Sequence, residues 1–255
     1  MQWEKLTTRE IEAVERSTPV VLNIAAIEQH GPHLPLDTDA AIGTHLLTAL
    51  DRAAPDAQLI LPQIKVGCSA HHADFAGTLC VPHSVLLDYV CGILESVRAS
   101  GFRNLLLLNS HGGNEAIGRV IVEHFGARHS DCRIALVTWW TLAQAQLTAF
   151  TESGPFGTGH ACEFETSLMM AADAIPEDTA IPAGTFHAPS FDWADGSMLK
   201  GRAGTLYRPM REISGGTGIS GQPELGTRAK GERITEAVTI QLARVVADMR
   251  RAVEA

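Results

Sequence analysis

Two apolar stretches of this chain fail to alternate, and that constrains its fold more than anything else in the sequence. Residues 20–27 read VVLNIAAI, and residues 103–109 read RNLLLLN. A strand with one wet face alternates apolar and polar side chains. A run without alternation is covered on both faces, as the strands of a parallel sheet are. Helical patterns separate these runs. Residues 40–53 set Ile42, Leu46, Ala49 and Leu50 on one face. A second helix, N-capped by Ser84 and running to Ser100, does the same with Leu86, Val90, Ile93, Leu94 and Val97. A third follows Asn114 and carries Ile117, Val120, Ile121 and Phe125. Residues 59–66, irregular at Pro62, and residues 133–138 read as further strands. Residues 7–16 read as a short helix with Thr7 and Glu10 at capping-box spacing. Strand and helix alternate to about residue 140, which predicts βαβ units and an α/β fold with a mainly parallel sheet and helices on both faces.

Sheets of this kind bind ligands beyond the carboxyl ends of their strands, and there the sequence turns polar. The first run leads into Glu28-Gln29-His30-Gly31-Pro32-His33-Leu34-Pro35-Leu36-Asp37-Thr38-Asp39. Glu28 and His30 are two apart, so in extended backbone they share a face. After the turn, Asp37 or Asp39 returns a carboxylate. Carboxylate and imidazole are ligands of divalent transition metals. The leucine run leads into Ser110-His111-Gly112-Gly113-Asn114, where the glycines let the backbone approach a bound group. Esterases build oxyanion holes from a similar loop, but the chain has no G-x-S-x-G elbow, so His111 fits better as a third metal ligand. Trp139 follows the strand read at 133–138. With Trp140 it suits a flat substrate, the core or a subunit contact equally. The loop GCSAHHADFAGT, residues 67–78, is too polar and glycine-rich for the core, and its His71 and His72 face either a pocket or nothing beyond the loop.

The last third is less regular. A glycine-rich stretch, residues 154–159, precedes His160 and a helix over 161–172, with Glu163 and Glu165 in its first turns. Residues 174–222 read as loops and short strands, and residues 223–253 as a long terminal helix. Gly216-Thr217-Gly218-Ile219-Ser220-Gly221 matches the dinucleotide fingerprint but has no strand before it and Pro223 just after, so it reads as a turn. No repeat or linker divides the chain, which points to one domain over 1–255. A net charge of −9 without a basic run argues against nucleic acid or an anionic membrane as partner. No apolar run reaches spanning length, and the polar start MQWEKLTTRE is no signal peptide. The cysteines, five and without C-x-x-C spacing, read as reduced thiols of a cytoplasmic protein.

Four words of this sequence, taken in order, resemble the creatininase (creatinine amidohydrolase) family. They are Glu28-x-His30-Gly31-x-His33-Leu34-Pro35-Leu36-x-Thr38-Asp39; Phe75-x-Gly77-Thr78; Asn109-x-His111-Gly112-Gly113-Asn114; and His160-Ala161-x-Glu163-x-Glu165-Thr166-Ser167. The resemblance implies a three-layer α/β/α fold, two divalent metal ions per subunit (zinc, with manganese or iron as alternatives) and a homohexamer. It implies that Glu28 and His111 hold one ion, that His30 and Glu165 hold the other, and that Asp39 rather than Asp37 bridges them. His160 would be the proton-transferring histidine, and Ser69 would line the pocket. His72, Trp139 and Glu163 complete the expected substrate surroundings. One departure stands out: creatinine-hydrolysing members carry Glu where this chain has Gly113. The branch with His-Gly-Gly-Asn includes formamide hydrolases and the mycofactocin-maturation peptidase. The function expected is metal-dependent hydrolysis of an amide, cyclic amide or formamide C–N bond in a small molecule or short peptide. A non-catalytic metal-dependent sensor on the same scaffold is the alternative.

Overall fold

A computed structural model describes residues 1–154, 157–184, 191–194, 196–201 and 203–251. After α1 (Thr8–Ala13) come β1 (Val20–Ile24), α2 (Thr38–Ala53), β2 (Leu59–Ile60), α3 (His83–Ala99), β3 (Asn104–Asn109), α4 (Glu115–Arg128) and β4 (Arg133–Thr138). The four strands form one parallel sheet in the order β2-β1-β3-β4. The expected α/β architecture is present, and the absence of alternation has the anticipated cause. Val20, Leu22, Ile24, Leu105 and Leu107 enter a core with residues of α3 and α4. Val21, Leu106 and Leu108 enter a second core on the other face, with residues of α2 and the C-terminal half. The result is three layers, helix, sheet, helix.

The C-terminal half supplies α5 (Trp139–Leu142), α6 (Gln144–Phe150), β5 (Thr158–His160), α7 (Glu163–Ala171), α8 (Met210–Ile213), β6 (Ser220–Gly221) and α9 (Arg228–Arg251). Helices α7 and α9 pack on each other and on α2. The expected terminal helix splits: residues 223–225 form a 3-10 turn, and 252–253 lie outside the described residues. The same holds for 155 and 156 of the glycine-rich stretch and for 185–190, 195 and 202 of the loop region.

Several boundaries move. Strand β2 has two residues rather than the eight of 59–66, because Pro62 cannot donate to the ladder. A single bridge, Ile24 to Ile64, continues the pairing. Helix α3 begins at His83 after Pro82, so Ser84 lies inside the first turn rather than at the cap. Helix α2 begins at Thr38, which puts Asp39 in its first turn rather than ahead of it. The short helices α5 and α6 lie where no element was expected. The glycine triplet at 216–221 does turn, with Gly216, Gly218 and Gly221 all at positive φ, but its end also forms β6 beside β5.

Candidate metal centre

The cluster sits at the carboxyl ends of β1 and β3. Past β1 the backbone continues to Glu28, whose N–H donates to the Leu36 carbonyl and closes the loop on itself. Gly31, at φ +65°, turns the chain. A Cβ there would come 2.7 Å from Ile219, on top of the unfavourable φ, so glycine is required. Past β3, His111 N–H donates to Asn109 Oδ1. Its ring Nε2–H points to the Cys68 carbonyl at 3.2 Å and lies 3.3 Å from Ser69 Oγ. That leaves Nδ1 as the open atom of His111, the usual division of labour in a ligating imidazole.

His111 Nδ1 lies 3.3 Å from Glu28 Oε1 and 3.1 Å from Asp39 Oδ2. The other oxygen of Asp39, Oδ1, is 3.5 Å from His30 Nε2, and Glu165 Oε1 is 3.8 Å from the same nitrogen. The carboxylate of Asp39 therefore faces one imidazole with each oxygen. His30 is oriented as His111 is, with Nδ1–H donating to the Glu28 carbonyl at 3.1 Å. Two of the three carboxylates, Asp39 and Glu165, stand in first helical turns, where unpaired N–H groups favour negative charge. His160 Nε2–H donates to the Gln29 carbonyl at 2.7 Å, and its Nδ1 faces Glu28 Oε1 at 3.8 Å. Ala161, at φ +51°, is the sharp turn that puts His160 and Glu165 on the same side.

Carboxylates and imidazoles of the cluster shift one another's protonation. Burial opposes protonation of His30 and His111, yet Asp39 with Glu165, and Glu28 with Asp39, outweigh it and raise both imidazoles well above their ordinary range. Burial works against the ionised form of Asp39 too, and His30 and His111 more than compensate, so its pKa falls. Burial, then His30, pushes His160 down to about 3. Burial and the surrounding imidazoles keep His72 neutral.

Four atoms of the cluster, Glu28 Oε2, His30 Nε2, Asp39 Oδ2 and His72 Nε2, are buried without a properly directed hydrogen bond. A buried polar group left so costs about 1–3 kcal/mol. Four at one point, all of them atoms that bind metals, are what a cation site looks like before the cation is counted. Ligand atoms of Glu28, His30 and Asp39 lie within 4.8 Å of one another, as do those of His30, His160 and Glu165. The donor set fits divalent ions.

The metal-ligand residues expected from sequence, Glu28, His30, Asp39, His111 and Glu165, thus come together with His160. Ser69 and His72 join them, but against the ligands: Ser69 is fully enclosed behind His111, and His72 Nε2 stands 3.3 Å from Glu28 Oε1. Trp139 and Glu163 do not join the cluster. Strand β4 runs straight into α5, which turns Trp139 into the apolar layer against Trp140. Glu163 and Glu165 are two apart on a helix, about 200° around the axis, and cannot both face the cluster. Glu163 is buried elsewhere, accepting N–H groups of Glu152 and Ser153 and lying 3.7 Å from Lys230 Nζ. Sequence reading missed Gln29. Its amide donates to His72 Nδ1 at 2.9 Å, and its carbonyl holds His160. The only signal was its place between Glu28 and His30. Asn114, which ties Cys68 N–H to the Ala25 carbonyl, was likewise visible only as part of a motif.

Fold and cluster define an α/β protein whose parallel sheet ends in a metal-binding site of carboxylates and imidazoles. The family profile described as creatinine amidohydrolase matches residues 4–246. The chain belongs to the creatininase family. It is 30% identical to the mycofactocin precursor peptide peptidase of Mycobacterium tuberculosis over 244 residues, 91% of this chain and 85% of that one. It is 26% identical to the creatinine amidohydrolase of Pseudomonas putida over 208 residues, 74% of this chain and 78% of that one. A solved creatininase superposes with a TM-score of 0.81 at 21% identity, covering 97% of this chain and 96% of the other, a likeness of fold. As a member of this family the chain is a hydrolase acting on C–N bonds.

Proposed function

We propose that the chain is a two-metal amidohydrolase cleaving the amide, cyclic amide or formamide bond of a small molecule or short peptide. The observation that carries this reading is Asp39: one oxygen faces His30, the other faces His111. A carboxylate so placed would serve two ions, with Glu28 and His111 to hold one and His30 and Glu165 to hold the other. When bound, the ions polarise the scissile carbonyl and lower the pKa of water. The chain's own groups do the rest. Burial excludes bulk water from Glu28, His30 and Asp39, so charge interactions there are strong. Held neutral, with its Nε2–H on the Gln29 carbonyl, His160 presents Nδ1 to the cluster. It accepts a proton there and delivers it to the departing nitrogen, a transfer suited to imidazole.

Zinc suits the mix of imidazole and carboxylate, and manganese and iron are the alternatives. Creatinine is not the substrate favoured by this chain. Where creatinine-hydrolysing relatives have Glu, a Cβ on Gly113 would lie 2.3 Å from the Cys68 carbonyl oxygen and 2.4 Å from His111 Nε2. We read residues 1–255 as one domain, placed in the cytoplasm and assembled as a homo-oligomer, a hexamer by family resemblance. Exposed Phe191, Trp193 and Tyr207 support a subunit contact. Among the described residues no helix is long and apolar enough to cross a membrane. The test is metal analysis of the purified chain followed by a panel of formamides, cyclic amides and short peptides. Turnover of at least one class, abolished by chelation and restored by metal, is expected. A metal-loaded chain inert on all three classes would refute the reading.

A further inference from the structure

We propose that His71 is a further ligand of the ion held by Glu28 and His111, which gives that position two imidazoles. The inference rests on the two-metal reading above and concerns a residue that reading leaves unused. His71 offers a nitrogen within 4.8 Å of ligand atoms of both Glu28 and His111. Its ring runs nearly parallel to that of His111, with centroids 5.8 Å apart and planes 19° apart.

The space it occupies exists because residue 113 has no side chain. A Cβ on Gly113 would come 2.9 Å from His71 Cε1, as well as against His111 and the Cys68 carbonyl. Gly113 and His71 are therefore complementary: one withholds an atom where the other brings a ring. The turn that carries His71 is fixed rather than free to swing. Ala70–His72 is a 3-10 turn. It is closed by His72 N–H on the Ser69 carbonyl, anchored before by Cys68 N–H on Asn114 Oδ1, and anchored after by Arg211 on the Asp74 carbonyl. From that one turn His72 reaches the Glu28 carboxylate at 3.3 Å. The orphaned Glu28 Oε2 marks the place where a positive charge is wanted. His71 is half-buried where the other ligands are buried, so it stands on the solvent side of the position. A second nitrogen in place of an oxygen moves the preference of this position from manganese toward zinc.

The test uses the full chain, stripped with a chelator and titrated with zinc and separately with manganese, with the visible spectrum of the cobalt(II) form as a second readout. Wild type takes two equivalents. In His71→Ala, one of them weakens by about ten-fold or more, the other is unchanged, and the cobalt spectrum shifts. His71→Glu restores the weakened equivalent and moves its preference toward manganese. His71→Gln, close in size, keeps the fold as judged by circular dichroism and behaves as the alanine variant does. If His71→Ala binds both equivalents as wild type does, or loses both alike while folded, His71 is no ligand of this ion and the inference falls alone. If wild type binds no metal, the two-metal reading falls and takes this inference with it.

Discussion

His160 and the pair His30 and His111 are the same side chain put to opposite uses by their neighbours. His30 and His111 face carboxylates and hold protons in the metal-free chain, whereas His160 lies tilted beside His30, ring centroids 4.3 Å apart, and stays neutral. Two predictions follow from this difference. His160→Ala should keep its metals and lose about 10²–10⁴-fold in turnover, read by metal analysis alongside kinetics. A metal-free His160→Ala chain would make His160 a ligand instead. Ions entering at pH 7 must also displace the protons of His30 and His111, releasing roughly two per chain. Calorimetry in buffers of different ionisation enthalpy measures this, and metal affinity should rise with pH. Binding without proton release would contradict the charge assignment.

At the scale of elements, the site depends on how closely helices approach strand ends. Helix α2 delivers Asp39 because Gly43, one turn later, lies against β1. A Cβ there would be 2.0 Å from Asn23 Nδ2. Asn23 is itself fixed by Gln63 and Ser110. Gly43→Ala should therefore destabilise the chain by about 1–3 kcal/mol and weaken metal binding with it, read by denaturant titration. An unchanged midpoint would show that the contact yields freely. This layer was partly legible in the sequence. Continuous apolar runs gave the parallel sheet, because burial on both faces leaves no polar residues along a strand. The ligands were legible because carboxylates and imidazoles follow those runs directly. What was not legible depends on direction in space. Nothing local says that α5 begins at once after Thr138 and turns Trp139 inward, or that Lys230, distant in sequence, claims Glu163. Nor could spacing show that Gln29, between Glu28 and His30, would hold His72 and His160. Thiol chemistry follows the same burial. Burial, then Cys80, raises Cys68 to about 11. Alkylation at pH 8 should accordingly modify exposed Cys80 well before buried Cys68 and Cys162, as peptide mapping would show. Equal labelling of all three would contradict the packing described.

For the molecule as a whole, the cluster is a charged knot inside the fold, and its stability depends on pH with a definite sign. His30 and His111 have raised pKa values in the metal-free chain. Their contribution is complete below the ordinary imidazole value, ~6.5, and is lost as pH rises through the raised values. Asp39 is depressed, so its contribution is present above the ordinary carboxylate value and is lost as pH falls. The chelated chain should therefore melt at lower temperature as pH is raised from 7 to 9. Metal binds the fold and not the unfolded chain, so the loaded form should melt higher and resist that decline. The most direct test of the central claim is anomalous diffraction from a crystal of the zinc-loaded chain. Two peaks per chain are predicted, one between Asp39, Glu28 and His111, the other between Asp39, His30 and Glu165. A single peak, or none touching Asp39, would contradict it.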